Sequence, residues 1–394
     1  MLAPMLSTTP GIPRPAPWHW LLLLALLLSS PLPADAQRLR VYTWADIMDF
    51  AVIDAFEAET GLRVDYDTYR SREALEARLA AGLDDLDLVM LPDDLLAELA
   101  SAGRLRVLEP QHLDNWQHLD PTLLVASHAL DPPPRHGVPY FWGVSGLAME
   151  PATVRQRLPD APLDTLGLLL DPARVAELAD CGVWLPDSAG EVIPAVLDYL
   201  GEPRSSAESA ALTRVEAHLQ ALWPYLAGVD SRAYLDRLAE GEACLALGWS
   251  DGVLRAQEVA ANLGKGPLAF RVPREGARLW LDVLVIPADA PQPGAALRLL
   301  DYLLRPAVAA RVANHAYLAP TNRASWPLLL AEIRDNPLVL PPVPAGGFYT
   351  VAPDPRVRAR WADLWQRLKS GEPPPLTQAT PPEPAPDPGR LDPR

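Results

Sequence analysis

From Gln37 onward, short apolar runs with strand-like spacing alternate with stretches whose apolar residues recur at helical intervals. Leu39-Arg40-Val41-Tyr42 reads as a first strand. Val52, Ile53 and Phe56 then share one helical face, and Gly61 supplies a left-handed stop. Leu62, Val64 and Tyr66 alternate as a second strand, and Ser71 caps a helix that carries Leu75 and Leu79 and stops at Gly82. Residues 86–91 form a third β run, followed by a helix ending near Gly103. This β-α-β-α rhythm predicts an α/β protein with a mostly parallel sheet and helices on both faces.

The rest of the chain repeats the logic. Residues 138–142 and 144–147 make an extended segment, helices are predicted over 189–200 and 206–222, and 244–247 is a buried strand. Residues 281–286 form another apolar strand closed by Pro287, before a helix over 294–304. A last amphipathic helix over 355–370 aligns Val357, Trp361, Leu364 and Leu368. Residues 372–394 are Pro-rich and polar, the composition of a disordered tail. No internal repeat is evident.

Composition narrows the function. The 394 residues suffice for about two domains, and 49% hydrophobic content allows a sizeable core. A net charge of −16 argues against nucleic acid, whose phosphates need clustered Lys and Arg. It suits cationic ligands, although many acidic proteins are merely soluble. The N-terminus is more decisive: Arg14, then Trp18, Trp20 and the apolar run 21–28, then Pro31, Pro33 and Ala34-Asp35-Ala36. That is the layout of a secretory signal peptide over residues 1–36, with cleavage after Ala36. The apolar run is short for a membrane span and no later stretch approaches the roughly eighteen apolar residues of one, so the mature chain is expected to be a soluble periplasmic protein. An uncleaved anchor is the alternative. Export also bears on Cys181 and Cys244, the only two cysteines, for which an oxidising compartment suggests a disulfide. Two buried thiols remain the other reading, and zinc has no adequate ligand set.

Three Trp–acid pairs stand out: Trp44 with Asp46 after the first strand, Trp249 with Asp251 after the 244–247 strand, and Trp280 with Asp282. The last two residues share one face of their strand. Ligands of open α/β sheets bind at the C-terminal strand ends, where the first two pairs fall. Carboxylates accept charge-assisted hydrogen bonds from an alkyl ammonium, and indole faces line its methylenes and attract the charge. Any single pair can be a core Trp beside a solvated Asp. A rival motif, Gly248-Trp249-Ser250-Asp251-Gly252, fits the nucleophile elbow of a serine hydrolase, with Asp282 and His315 downstream in the right order. It lacks the Gly-rich oxyanion segment upstream.

Seven segments, in order, carry a resemblance: RVYTWAD, FEAETGLRVDYDTY, DLVML, CGVWLPDSAGEVIPAVLDYLGEP, YLDRLAEGEACLALGWSDG, PREGARLWLDVLVIPADA and LDYLLRPAVAARVANHAYLAPTNRAS. Together they resemble the periplasmic putrescine- and spermidine-binding proteins of ABC importers, most closely the putrescine type, over residues 38–370. The resemblance implies a non-enzymatic, two-lobed periplasmic-binding fold of type II, closing on its ligand by a hinge. Lobe 1 would comprise residues 37–141 and 272–330, and lobe 2 residues 142–271 and 331–371. It implies a polyamine ligand, permease and ATPase partners, a monomer, no cofactor and a Cys181–Cys244 bridge. Its ligand positions map to Trp44, Asp46, Glu191, Trp249, Asp282 and the aromatic Trp280. Glu191 comes from the resemblance alone; on the residues it is equally a helix-start acid favoured by the macrodipole.

The departures fall on the pocket. The family's W-S-D-Y reads Trp44-Ala45-Asp46-Ile47, and its W-A-G-D turn reads Trp249-Ser250-Asp251-Gly252, moving the acid to Asp251. A pocket serine is replaced around Pro92-Asp93-Asp94, adding negative charge. Near Asn314-His315 the expected aromatic is represented by Tyr317, followed by Leu318. Buried partners set discrimination, so a different cation, or a sensor role, is the second reading.

Overall fold

The computed structural model describes residues 38–133, 135–350 and 354–371, so the signal-peptide and tail assignments lie outside the described residues. The predicted elements form with small boundary changes. β1 (Arg38–Trp44) leads to a helix over Phe50–Thr60, capped by the Asp49 carboxylate and stopped by Gly61 at φ 72°. β2 (Arg63–Tyr69) is followed by the Ser71-capped helix Arg72–Ala81, then by β3 (Leu88–Pro92) and the helix Asp93–Ser101. The extended segment is one strand, β4 (Gly137–Met149), buried along its whole length. β5 (Val183–Leu185), β6 (Gly228–Val229), β7 (Leu245–Trp249) and β8 (Ala269–Arg271) precede a longer strand, β9 (Ala277–Val285). β10 (Ala319–Pro320) and β11 (Phe348–Tyr349) are short. The last helix is Pro355–Ser370, capped by Asp354 and ended by Gly371 in the left-handed conformation.

The sheet order is β2-β1-β3-β9-β4-β7-β5-β6. β1 runs parallel to β2 and β3, and β5 runs parallel to β6 and β7, as the helical crossovers require. A mostly parallel sheet is not what the centre shows. β9 is antiparallel to both β3 and β4, and β4 is antiparallel to β7. The reason lies in chain order: β4 and β9 are long strands that pass between the two parallel groups, so each enters the sheet against its neighbours. β4 changes partners along its length. Residues up to Val144 pair with β9, while Ser145–Met149 pair with β7 and Leu147–Met149 also with β8.

A two-lobed architecture results, each half with helices over its own strands and both joined through β4 and β9. Cys181 and Cys244 are bridged, with Cα atoms 5.5 Å apart, pinning the segment before β5 to the start of β7. The Pro355–Ser370 helix packs on the helices Ala189–Tyr199 and Ser209–Leu222 through Trp361, Leu364, Trp365 and Leu368. No helix among the described residues is long and apolar enough to cross a membrane.

Candidate functional site

Trp44 and Trp249 are the last residues of β1 and β7, where the alternation of a strand gives way to the following turn or helix. Each indole finds a buried carboxylate far away in sequence. Trp44 donates Nε1–H to Asp282 at 3.1 Å, and Trp249 donates Nε1–H to Glu191 at 3.0 Å. Trp44 is also braced by the Tyr69 ring, 4.4 Å between centroids, and Tyr69 in turn donates to the Met90 carbonyl. Trp280, between Arg278 and Asp282 on the same face of β9, lies over Gly143 of β4, the residue directly opposite it. A Cβ at Gly143 would overlap the indole, so the close approach of ring to backbone requires glycine there.

Asp282 is only 9% exposed, and among the described residues its side chain has one hydrogen-bond partner, Trp44. Among the described residues no Arg or Lys pairs with it. Burial pushes its carboxyl up to about 7. The Trp44 N–H works against that shift, and the Asp251 and Asp93 carboxylates add to it. A carboxylate held this way has an unmet demand for positive charge.

Glu191, in the first turn of the Ala189–Tyr199 helix, is saturated instead. It accepts from Ser145, from Trp249 and, at 2.7 Å, from Arg278. Arg278 reaches Asp93 with its other terminal nitrogen at 2.8 Å, and Asp93 also accepts from the Leu281 N–H. Asp93 is 1% exposed and Arg278 6%. Burial raises Asp93 to about 6, the Arg278 charge pulling back and Asp94 and Glu191 pushing further up. Burial weakens the Arg278 charge, but Asp93 and Glu191 together hold its pKa above the ordinary value.

The other candidates take other partners. Asp46 sits at φ 64°, with an 80% exposed side chain pairing with Arg70 at 3.3 Å. Asp251, at the start of the Ser250–Asn262 helix, pairs with Arg255 one turn on at 3.3 Å. Tyr317 ends the Pro306–Ala316 helix at φ 56°, and its hydroxyl donates to Glu332 at 3.2 Å. The elbow reading is corrected. Ser250 is buried with its hydroxyl accepting from the Val144 N–H at 3.4 Å, Asp282 is held by Trp44, and His315 lies beside Asp49 and Arg311. No two of Ser250, Asp282 and His315 hydrogen-bond to each other.

Sequence reasoning missed Arg278. The signal was present: β9 begins four residues before Leu281, which makes Arg278, Trp280 and Asp282 alternate on one face of an otherwise apolar strand. Asp93 stood in the Pro92-Asp93-Asp94 departure, but its partner did not.

Indoles and acids gathered where two sheet halves meet define a ligand-capture protein built on two lobes. The chain belongs to the bacterial extracellular solute-binding protein family, whose model matches residues 51–341. It is 36% identical over 348 residues to PotF, a putrescine-binding periplasmic protein of Escherichia coli K12, covering 86% of this chain and 94% of that one. A putrescine/agmatine-binding protein of Pseudomonas aeruginosa is 34% identical over 345 residues, covering 86% and 93%. The crystal structure of PotD, the spermidine/putrescine ABC transporter substrate-binding protein of Streptococcus pneumoniae, matches with a TM-score of 0.72. Its identity is 22%, over 86% of this chain and all of that one, so it bears on the fold.

Proposed function

We propose that this protein captures a small polyamine-class cation outside the cytoplasmic membrane and hands it to an ABC importer, binding it without chemical change. The observation that carries the reading is Asp282, a buried carboxyl whose one partner among the described residues is an indole N–H, with no Arg or Lys among them to compensate its charge. An alkyl ammonium supplies what Asp282 lacks, and Trp44, Trp249 and Trp280 offer indole walls for its methylenes. Asp46 and Asp251 are proposed as further acids of the cleft, their exposed arginine partners being exchangeable for a ligand charge at little cost. Glu191 is proposed to fix the Trp249 ring, and Tyr317 to join the rim on closure. The names of the relatives, putrescine- and agmatine-binding proteins among them, support the ligand class.

The lobe division at 141/142, 271/272 and 330/331 belongs to this proposal. It is supported by β4 exchanging β9 for β7 between Val144 and Ser145. So do export through residues 1–36, cleavage after Ala36, and action as a monomer. The test is isothermal titration against putrescine, cadaverine, spermidine, spermine and agmatine. Heat of binding from at least one, lost in Asp282→Asn, is expected. No heat with any of the five would sink the ligand class while sparing the fold.

A further inference from the structure

Arg278, Trp280 and Asp282 project from the same face of β9, giving that face a cation, a ring and an acid in succession. The Arg278 guanidinium bridges two carboxylates carried by helices of different sheet halves: Glu191 on Ala189–Tyr199 and Asp93 on Asp93–Ser101. All four carboxylate oxygens are engaged. Glu191 Oε1 accepts from Trp249 and Arg278, and Oε2 from Ser145. Asp93 Oδ1 accepts from Arg278, and Oδ2 from the Leu281 N–H. An ammonium arriving at Glu191 would have to expel a guanidinium that is itself buried, leaving that charge unpaired. Removing one partner of a buried pair is strongly unfavourable, so the exchange does not occur readily.

We propose that Arg278 is the specificity-determining residue of the cleft, a tethered cation that fills the buried Glu191–Asp93 acid site and leaves Asp282 as the one buried acid open to a ligand ammonium. The preferred ligand class is then an amine with a single buried charge contact, its far end uncharged or held only at the solvated rim, where an ion pair to Asp46 or Asp251 adds little. This rests on the cation-capture reading above. A guanidinium serving only to join the sheet halves would affect stability without changing the relative affinities of two amines of equal length.

The test compares putrescine with n-butylamine, which share a four-carbon chain and differ in the second amine. Calorimetric titration of the full chain is expected to give dissociation constants within about threefold of each other. In the double variant Arg278→Met/Asp93→Asn, Glu191 becomes free to accept a second ammonium. Putrescine should then bind at least about tenfold more tightly than n-butylamine, the scale of one charge-assisted hydrogen bond. Arg278→Lys, which keeps the tethered charge, should retain the wild-type ratio. A wild-type preference for putrescine of about tenfold or more overturns the proposal, whether or not the double variant folds. So does a ratio that the double variant leaves unchanged. If neither amine binds the wild type, nor any of the five cations named above, the capture reading falls and this inference with it. Binding with the wrong ratio removes the inference alone.

Discussion

The indole N–H of Trp44 donates to the Asp282 carboxylate at 3.1 Å, joining the end of β1 to the middle of β9 across the intervening β3. Of the groups acting on Asp282, this donor alone lowers its pKa, against burial and two neighbouring acids. Trp44 therefore favours the charged form of Asp282, in addition to the ligand wall proposed for it.

Replacing Trp44 with Phe should keep the ring packing on Tyr69 but remove the donor. Asp282 should then titrate above about 7, and the pH at which cation affinity levels off should move upward. Titration calorimetry from pH 6 to pH 9 reads this directly. An unchanged profile would mean that Asp282 is not the ligand's carboxylate.

Cation affinity in the unaltered protein should itself rise with pH. Below about 7 the Asp282 carboxyl holds a proton that an ammonium must expel, so affinity should fall by up to about tenfold per pH unit. Binding at pH 6 should release close to one proton, measurable from the dependence of the observed heat on buffer ionisation enthalpy. Asp282→Asn should abolish that release.

The ligand-free protein should show the opposite trend in stability. Asp282 and Asp93 are raised in the folded state to about 7 and about 6, above the ordinary value of 3.8. Between those limits the folded chain holds protons that the unfolded chain has given up. Their contribution is full below about 4 and lost as pH rises through 6 to 7. Carboxyls such as Asp49 and Glu57 are shifted downward, so their effect falls at lower pH and does not obscure this window. The thermal midpoint of Asp282→Asn should therefore decline less than that of the wild type between pH 5 and pH 8.

Gly143→Ala should damage the site more than the fold. The added methyl meets the Trp280 ring, so the half-buried indole has to shift if β4 and β9 stay paired. Cation affinity should drop by about tenfold or more, with far-ultraviolet circular dichroism unchanged and tryptophan emission shifted. Full retention of affinity would remove Trp280 from the ligand wall.

Loss of the Cys181–Cys244 bridge should destabilise without abolishing binding. The bridge closes a loop with a sequence separation of 63, for which loop-closure entropy gives roughly 4 kcal/mol. The Cys181→Ala/Cys244→Ala variant should unfold at lower urea concentration, and saturating ligand should recover part of the difference. Cys244 precedes the strand that ends at Trp249, so weaker binding is expected only where that strand frays.

Much of the fold was legible in order along the chain. The caps at Ser71 and Gly61 are properties of a few adjacent residues, and each behaves as the sequence predicts. The final helix, Pro355–Ser370, has its predicted bounds because cap, periodicity and glycine stop agree. The central antiparallel strands were not legible. Both faces of β4 are buried, so its run of apolar residues carries no sign of direction or partner.

The site shows the same division. Sequence by itself determined which chemistry was available: indoles and acids at strand ends, two cysteines, and a chain-long family likeness. It grouped them by proximity along the chain, as Trp44 with Asp46 and Trp249 with Asp251. Tertiary structure regrouped them as Trp44 with Asp282 and Trp249 with Glu191, partners separated by 238 and 58 residues. It also set Arg278 between Glu191 and Asp93. Local periodicity fixes which face a side chain occupies, a matter of a few neighbouring torsions. Which faces meet depends on strand order, and that is set only when distant strands compete to bury the same core.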